Sequence, residues 1–331
     1  MPVESSFEEA YRAAAEGALA LSRSHLVIVA ARGKDRESFL QNMLTNDVRS
    51  LAPGAGVPAA FLTNKGKLVS DLIVFKSDDA FLLQLERERA EPFRNALDRY
   101  IISEDVALEN RAETEATLSL EGPEASRILA ELAGISRSEL DGLAHLHFRI
   151  LDLAGILARV TAQRRELTPR FDISASPDGV RDVFEQVLER GALLGGENVR
   201  ETRRIEASRP RFGVDMDESH LPLEAGLDEA ISFQKGCYIG QEYVVRLAHR
   251  GHVNRKLSGL RLAGVDAPAP ASPVLCVAEE AGAVTSSAFS PAFDCALAFA
   301  YLKRAYLEPG TEVTVGGATA TVSSLPFARS R

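Results

Sequence analysis

Lys235-Gly236-Cys237-Tyr238-Ile239-Gly240-Gln241-Glu242 sets one thiol between two glycines, beside a lysine and just ahead of a helix-forming run. Gly236 and Gly240 tolerate positive φ and let another group approach the backbone closely, so the segment reads as a shaped loop. From Gly240 onward, Gln-Glu-Tyr-Val-Val-Arg-Leu-Ala-His-Arg suffices for about three helical turns and runs into Gly251, a residue suited to a left-handed cap. Cys237 then lies upstream of a helix N-terminus. The partial positive charge of that end and the nearby Lys235 favour thiolate, the form that attacks electrophiles and binds soft metals. Glu242, Arg246 and Arg250 share one helical face, while Val244, Val245, Leu247 and Ala248 turn toward a core. The plain reading of Cys237 is a small buried hydrophobe. For Arg246, Arg250, Arg255 and Lys256, interleaved with His249 and His252, a solvated face stands against an anion site.

Downstream of this stretch the pattern changes to short alternating strands: 256–262, 273–278, 282–287, 296–302, 312–315 and 318–323. Ala267-Pro-Ala-Pro-Ala-Ser272 and Pro309-Gly310 divide them, which predicts a small β-barrel. Upstream, 208–234 carries little periodicity and several Pro, Gly and Asp residues, and is expected to be an ordered loop leading into the motif. Further back the chain reads as α+β. A helix over 7–19 and a strand over 25–30 come first, then a helix bearing Phe39, Leu40, Met43 and Leu44. Three strands follow between Val57 and Glu86, then a helix over 88–100 and a strand over 104–108. Gly122-Pro-Glu-Ala-Ser-Arg-Ile-Leu-Ala-Glu-Leu132 echoes Gly33-Lys-Asp-Arg-Glu-Ser-Phe-Leu-Gln-Asn-Met43, each after an apolar strand, and suggests two related α+β units. Strands over 148–153, 156–163 and 170–174 and helices over 177–190 and 197–207 complete the second. The expected domains are 1–115, 116–250 and 251–331.

At 331 residues the chain exceeds one ordinary core. With 45% hydrophobic and 26% charged residues and no apolar run near the roughly 20 residues of a membrane span, a soluble protein is expected, with no membrane insertion. The acidic first ten residues lack the layout of a secretory signal, which points to the cytoplasm. Cysteines at 237, 276 and 295 form neither a disulfide framework nor a Cys-x-x-Cys pair, so no metal site is expected. A net charge of −9 opposes general nucleic-acid binding. One basic segment in an acidic chain suits a small anion. There is no glycine-rich phosphate loop, His-Glu-x-x-His or Gly-x-Ser-x-Gly.

The run Lys-Gly-Cys-Tyr-x-Gly-Gln-Glu, with Val-x-Arg and Arg-Gly-x-x-x-Arg after it, resembles the motif of the YgfZ family, folate-binding proteins implicated in iron–sulfur cluster assembly or repair. Their superfamily includes the aminomethyltransferase (T-protein) of the glycine cleavage system. Phe39–Val48, Gly66–Val74, Arg204–Ala207, Phe212–Asp215 and Leu221–Asp228 carry the likeness through the rest of the chain. The resemblance implies two ferredoxin-like or related α+β units and a C-terminal barrel enclosing a central tetrahydrofolate site. It implies function for the motif cysteine, where T-proteins carry an aspartate. Asp71 matches the acidic position beside the folate and its reacting nitrogen.

The catalytic candidate is therefore Cys237, and the candidate cofactor-binding set is Asp71, Arg204, Glu224, Lys235, Tyr238, Gln241, Glu242, Arg246 and Arg250. An Arg clamps carboxylates and a carboxylate accepts from a pterin's amino and ring N–H groups, although Glu206 is an alternative partner for Arg204. Tyr238 stacks, donates a hydrogen bond or packs. Three readings stay open. One is a tetrahydrofolate-binding accessory protein for iron–sulfur proteins or their assembly factors, touching tRNA modification, with Cys237 as transient ligand, nucleophile or redox partner. The second is a folate-dependent one-carbon transferase. The third is a docking module whose basic helix face meets a protein or tRNA.

Overall fold

A computed structural model describes residues 4–164 and 167–327; the side chain of Arg250 lies outside the described residues. α1 (Phe7–Glu16) starts on a reciprocal capping box between Ser6 and Glu9 and stops at Gly17, short of the expected 19, because Leu19 already belongs to β1 (Leu19–Ser22). Then come β2 (Leu26–Arg32), α2 (Arg36–Met43), β3 (Gly56–Leu62), β4 (Leu68–Lys76), β5 (Phe81–Glu86), α3 (Ala90–Asp98) and β6 (Ala107–Asn110). β7 (Ala116–Glu121), α4 (Ala125–Ala133), α5 (Arg137–Asp141), β8 (Phe148–Leu153), β9 (Ile156–Gln163), β10 (Arg170–Ala175), α6 (Pro177–Glu189), β11 (Leu193–Leu194) and α7 (Glu197–Glu206) follow. After α7 the chain runs with little regular structure to α8 (Gln241–Arg250), as its composition indicates. β12 (Arg255–Leu262), β13 (Pro273–Cys276), β14 (Glu279–Ser290), β15 (Cys295–Lys303), β16 (Glu312–Val315) and β17 (Ala318–Ser323) complete the chain.

The architecture is α+β with a closed barrel. Contacts divide the chain into two compact units. The first holds the segments up to Phe61, Ser70–Val199 and Gln234–Tyr238; the second holds Leu62–Val69, Arg200–Phe233 and the chain from Ile239 on.

The strands of the α+β part form two sheets, ordered β3-β4-β5-β2-β6 and β11-β1-β7-β10-β9-β8. Strand, glycine and helix recur as β2, Gly33, α2 and as β7, Gly122, α4, the pattern of the sequence echo. In the five-stranded sheet Phe93 of α3 meets Phe61 edge to face at 5.8 Å. A separate cluster joins Ile28, Ala30, Phe75 and Leu82 to Leu146 and Phe148.

The six-stranded sheet has two buried faces of opposite character. Leu118, Leu120, Val160, Phe171 and Ile173 pack with Ile128, Leu129, Val183 and Val187 of α4 and α6. Because side chains alternate along a strand, the intervening residues make the other face, which registers as cross-strand rows. The rows are Glu121–Arg170–Gln163, Ser119–Asp172–Thr161 and Thr117–Ser174–Arg159. All nine are buried and polar.

The barrel is closed in the order β12-β15-β14-β13-β16-β17, and alternation sends Leu260, Val274, Val284, Ala298, Ala300, Val313 and Val322 inward. Among the described residues no helix is long and apolar enough to cross a membrane.

Candidate functional site

The organising stretch is a loop tied down at one end and capped at the other. The ammonium of Lys235 donates to the carbonyl oxygens of Gln41 (2.6 Å), Leu44 (2.7 Å) and Asn46 (2.8 Å) and stands 5.5 Å from the centre of the Tyr238 ring. An ammonium has three donors, and here they meet carbonyls at and just beyond the C-terminus of α2, where a cation is favoured. The sequence places Lys235 beside the thiol or a ligand; its hydrogen bonds go instead to backbone 189 to 194 residues away in the chain. Burial pushes the ammonium down to about 8.

Cys237 is exposed, while Cys276 and Cys295 are half-buried at the ends of barrel strands. Tyr238 is 7% exposed, its hydroxyl has no hydrogen-bond partner among the described residues, and burial pushes it up to about 12.

Gly240 caps α8 at φ +82°, where a Cβ would come within 2.6 Å of the Thr63 carbonyl oxygen. Only glycine fits both demands. The other expected glycine geometries differ: Gly251 is extended at φ −133°, and Gly236 is not among the positive-φ residues. Of the apolar residues expected inward on α8, Val244 is buried, Val245 and Leu247 are half-buried and Ala248 is exposed.

Asp71 lies on β4, on the sheet face it shares with Ile73 and Phe75. It keeps some accessible surface, but protein surrounds the carboxyl closely enough for desolvation to push it up to about 6, opposed only by its own backbone N–H. Among the described residues its carboxyl accepts no side-chain hydrogen bond and forms no ion pair. The same face meets the polar rows of the six-stranded sheet, since the Arg159 guanidinium lies 5.7 Å from the centre of the Phe75 ring.

Those rows hold unmatched polar atoms. Gln163 donates from Nε2 to Asp172 Oδ2 at 2.9 Å, yet Gln163 Oε1 and Asp172 Oδ1 accept no hydrogen bond, although Arg170 Nε is 3.2 Å from the latter. Arg159 Nη2 lies 2.7 Å from Glu115 Oε1 without hydrogen-bond alignment. Burial lowers the Arg159 pKa against the pull of Glu115. Buried polar groups are normally satisfied, so a face with two unmatched acceptors is suited to meet water or a polar ligand.

The remaining candidates fall in the second unit. All five N–H donors of Arg204 are engaged: Nε with Glu201 (2.9 Å), Nη1 with the Arg209 carbonyl (2.8 Å) and Asp215 (2.5 Å), and Nη2 with Ser286 (3.1 Å) and Glu201 (2.8 Å). Its partner is Asp215, 1% exposed, which also accepts from Thr285 and Ser286 at 2.6 Å. Arg204 thus serves as a packing hub. Glu206, the alternative partner read from the sequence, accepts instead from Ser290 at 2.5 Å and pairs with Arg203 at 3.4 Å.

Glu224 accepts from the Leu221 N–H at 3.3 Å and lies 3.8 Å from Arg255 Nε. Glu242 and Arg246 pair with each other at 2.7 Å on an exposed helix face, Arg246 also covering the Tyr243 ring at 5.2 Å. Gln241 is half-buried at the start of α8, and the side chain of Arg250 lies outside the described residues. Among the described residues no group of three or more His, Cys, Asp or Glu could hold a metal ion.

Asp172 and Gln163 escaped the sequence reading because a strand with alternate polar residues reads as half-solvated. A signal was present in Arg170-Phe-Asp-Ile-Ser-Ala175, where opposite charges two residues apart sit in a strand that is buried throughout.

The profile described as GCVT N-terminal domain matches residues 2–235, and that of the glycine cleavage T-protein C-terminal barrel domain matches 255–328. The chain is 31% identical over 309 residues to an aminomethyltransferase of Rubrobacter xylanophilus, covering 92% of this chain and 82% of that protein. It is 28% identical over 285 residues to an aminomethyltransferase of Thermosipho melanesiensis, covering 86% and 77%. The crystal structure of glycine cleavage system aminomethyltransferase T from Bartonella henselae superimposes with a TM-score of 0.88 at 22% identity, over 100% of this chain and 92% of that one, and shares its fold. With both profiles in register along one polypeptide, the chain belongs to the glycine cleavage T-protein family.

Proposed function

We propose that this is a cytoplasmic tetrahydrofolate-binding protein acting as a one-carbon transferase of the aminomethyltransferase kind, with Asp71 holding or moving a proton at the folate's reacting nitrogen. The observation that carries the reading is the state of Asp71: a desolvated carboxyl at about 6, without a cation among the described residues, on the strand face that meets the polar rows where Phe75 lies under Arg159. A general acid or base works best when its pKa lies near the working pH, and desolvation supplies that here. Asp172 Oδ1 and Gln163 Oε1 fit the amino and ring N–H groups of a pterin, and the Tyr238 hydroxyl offers a further donor. Bound tetrahydrofolate would supply the paired nitrogens that accept a one-carbon unit. The aminomethyltransferases above, similar over most of their length, support the same chemistry. Calorimetric titration with tetrahydrofolate, followed by assay of methylenetetrahydrofolate from an aminomethyl donor, tests it. Binding lost in Asp71→Asn and product formed by the wild type are expected; absence of both in the wild type sinks it.

A second reading rests on the exposed Cys237. In it the folate pocket is kept and the thiol serves iron–sulfur proteins or assembly factors as transient ligand, nucleophile or redox partner, as in the YgfZ proteins. A Cys237→Ala protein that fully restored iron–sulfur enzyme activity in a deletion strain would remove the thiol from the account.

A further inference from the structure

Gln84 lies on β5 directly opposite Ile28 of β2 and Ile73 of β4. It therefore projects from the sheet face that carries Asp71, which is two residues along β4 from Ile73. That places it diagonally across from Asp71, a spacing of roughly 7–8 Å that long side chains bridge. Gln84 is 6% exposed; its carboxamide makes no hydrogen bond to any described residue and is not sealed in, since its polar atoms keep some accessible surface. The cluster around it is Ile28, Ala30, Ile73, Phe75 and Leu82, where an apolar side chain would pack without leaving polar atoms unmatched. Nothing in the fold requires an amide here.

We propose that Gln84 is a specificity-determining residue that distinguishes folates with a free N5–H from folates substituted at N5. The inference rests on the folate reading of Asp71 and goes beyond it in naming the form bound. A carboxamide presents an acceptor and donors side by side. The edge of tetrahydropterin next to the reacting nitrogen presents the complement, an N5–H donor beside the C4 carbonyl acceptor. A substituent on N5 removes the donor, adds bulk and leaves Gln84 Oε1 buried without a partner. Sites that hydrogen-bond a ligand group reject analogues lacking it far more strongly than apolar pockets do.

The test compares the full chain and Gln84→Met, a near-isosteric apolar replacement, in titrations with tetrahydrofolate and with 5-methyltetrahydrofolate, beside thermal melts of the ligand-free proteins. The wild type is expected to favour tetrahydrofolate by about tenfold or more, and Gln84→Met to bring the two within about threefold. Ligand-free Gln84→Met is expected to melt no lower than the wild type, because the amide it removes makes no hydrogen bond within the fold. A preference unchanged in Gln84→Met overturns the proposal, and so does a lowered melting temperature, which would show the amide serving the fold. Failure of the wild type to bind either folate would instead overturn the reading of Asp71, and the N5 assignment with it.

Discussion

The guanidinium of Arg159 on β9 stands 5.7 Å over the ring of Phe75 on β4, so the charged row of one sheet is seated on the Asp71-bearing face of the other. A cation over an aromatic face is attracted by the ring's quadrupole, and Glu115 balances the charge at 2.7 Å with side-chain exposures of 6% and 13%. Replacing one member of such a buried pair strands the other. Arg159→Met is expected to cost about 3 kcal/mol in urea unfolding, and Arg159→Met with Glu115→Gln to recover a large part of it.

Asp71 makes stability depend on pH with a defined sign. Its folded pKa, about 6, exceeds the value of an unfolded aspartate, so the folded state holds more protons between about 4 and 6. The stability contributed by the protonated form is fully present below pH 4 and is lost as pH rises through 6. Asp71→Asn removes the ionisation. Its stability relative to the wild type is expected to climb by about 2 kcal/mol between pH 4 and pH 7 and to level off above that, as read from denaturant melts at four or five pH values. A flat difference would place Asp71 in a better solvated setting than its surroundings indicate.

Lys235 holds its loop to α2 through three carbonyls. Lys235→Met keeps the stem and deletes every donor, leaving those oxygens without the ammonium. A loss of about 2 kcal/mol or more is expected in chemical denaturation. Lys235→Arg should recover only part of this, since a planar fork cannot match three carbonyls set around a point charge.

Cys237 is a free, exposed thiol. Cys237→Ser should therefore change stability by less than about 0.5 kcal/mol. In the native protein a thiol reagent is expected to modify Cys237 ahead of Cys276 and Cys295, and Cys237→Ser to abolish that first phase. Tetrahydrofolate affinity should be the same in both proteins.

Local chemistry was legible along this chain and long-range partnership was not. The barrel could be read strand by strand because alternate small apolar residues and Pro-Gly turns state a half-buried strand without help from elsewhere. The Ser208–Gln234 loop was visible in the same way. Lys235 was misplaced because its neighbours in sequence are not its neighbours in space. Arg204 and Asp215 both lie in segments that carry the resemblance, yet that the two pair and use up the guanidinium depends on a turn that periodicity does not encode. The polar rows of β7, β9 and β10 were missed for a related reason: alternation tells which residues share a face, and only the fold tells whether that face meets water.

Those rows also bear on the heat signature of any guest they admit. Dehydrating apolar surface on association gives a negative heat-capacity change, and dehydrating polar surface moves it the other way. A guest held between Glu121, Gln163, Arg170 and Asp172 on one side and Ile73 and Phe75 on the other would oppose the two contributions. The enthalpy of occupancy should then stay nearly constant with temperature, unlike that of a greasy cleft of similar size.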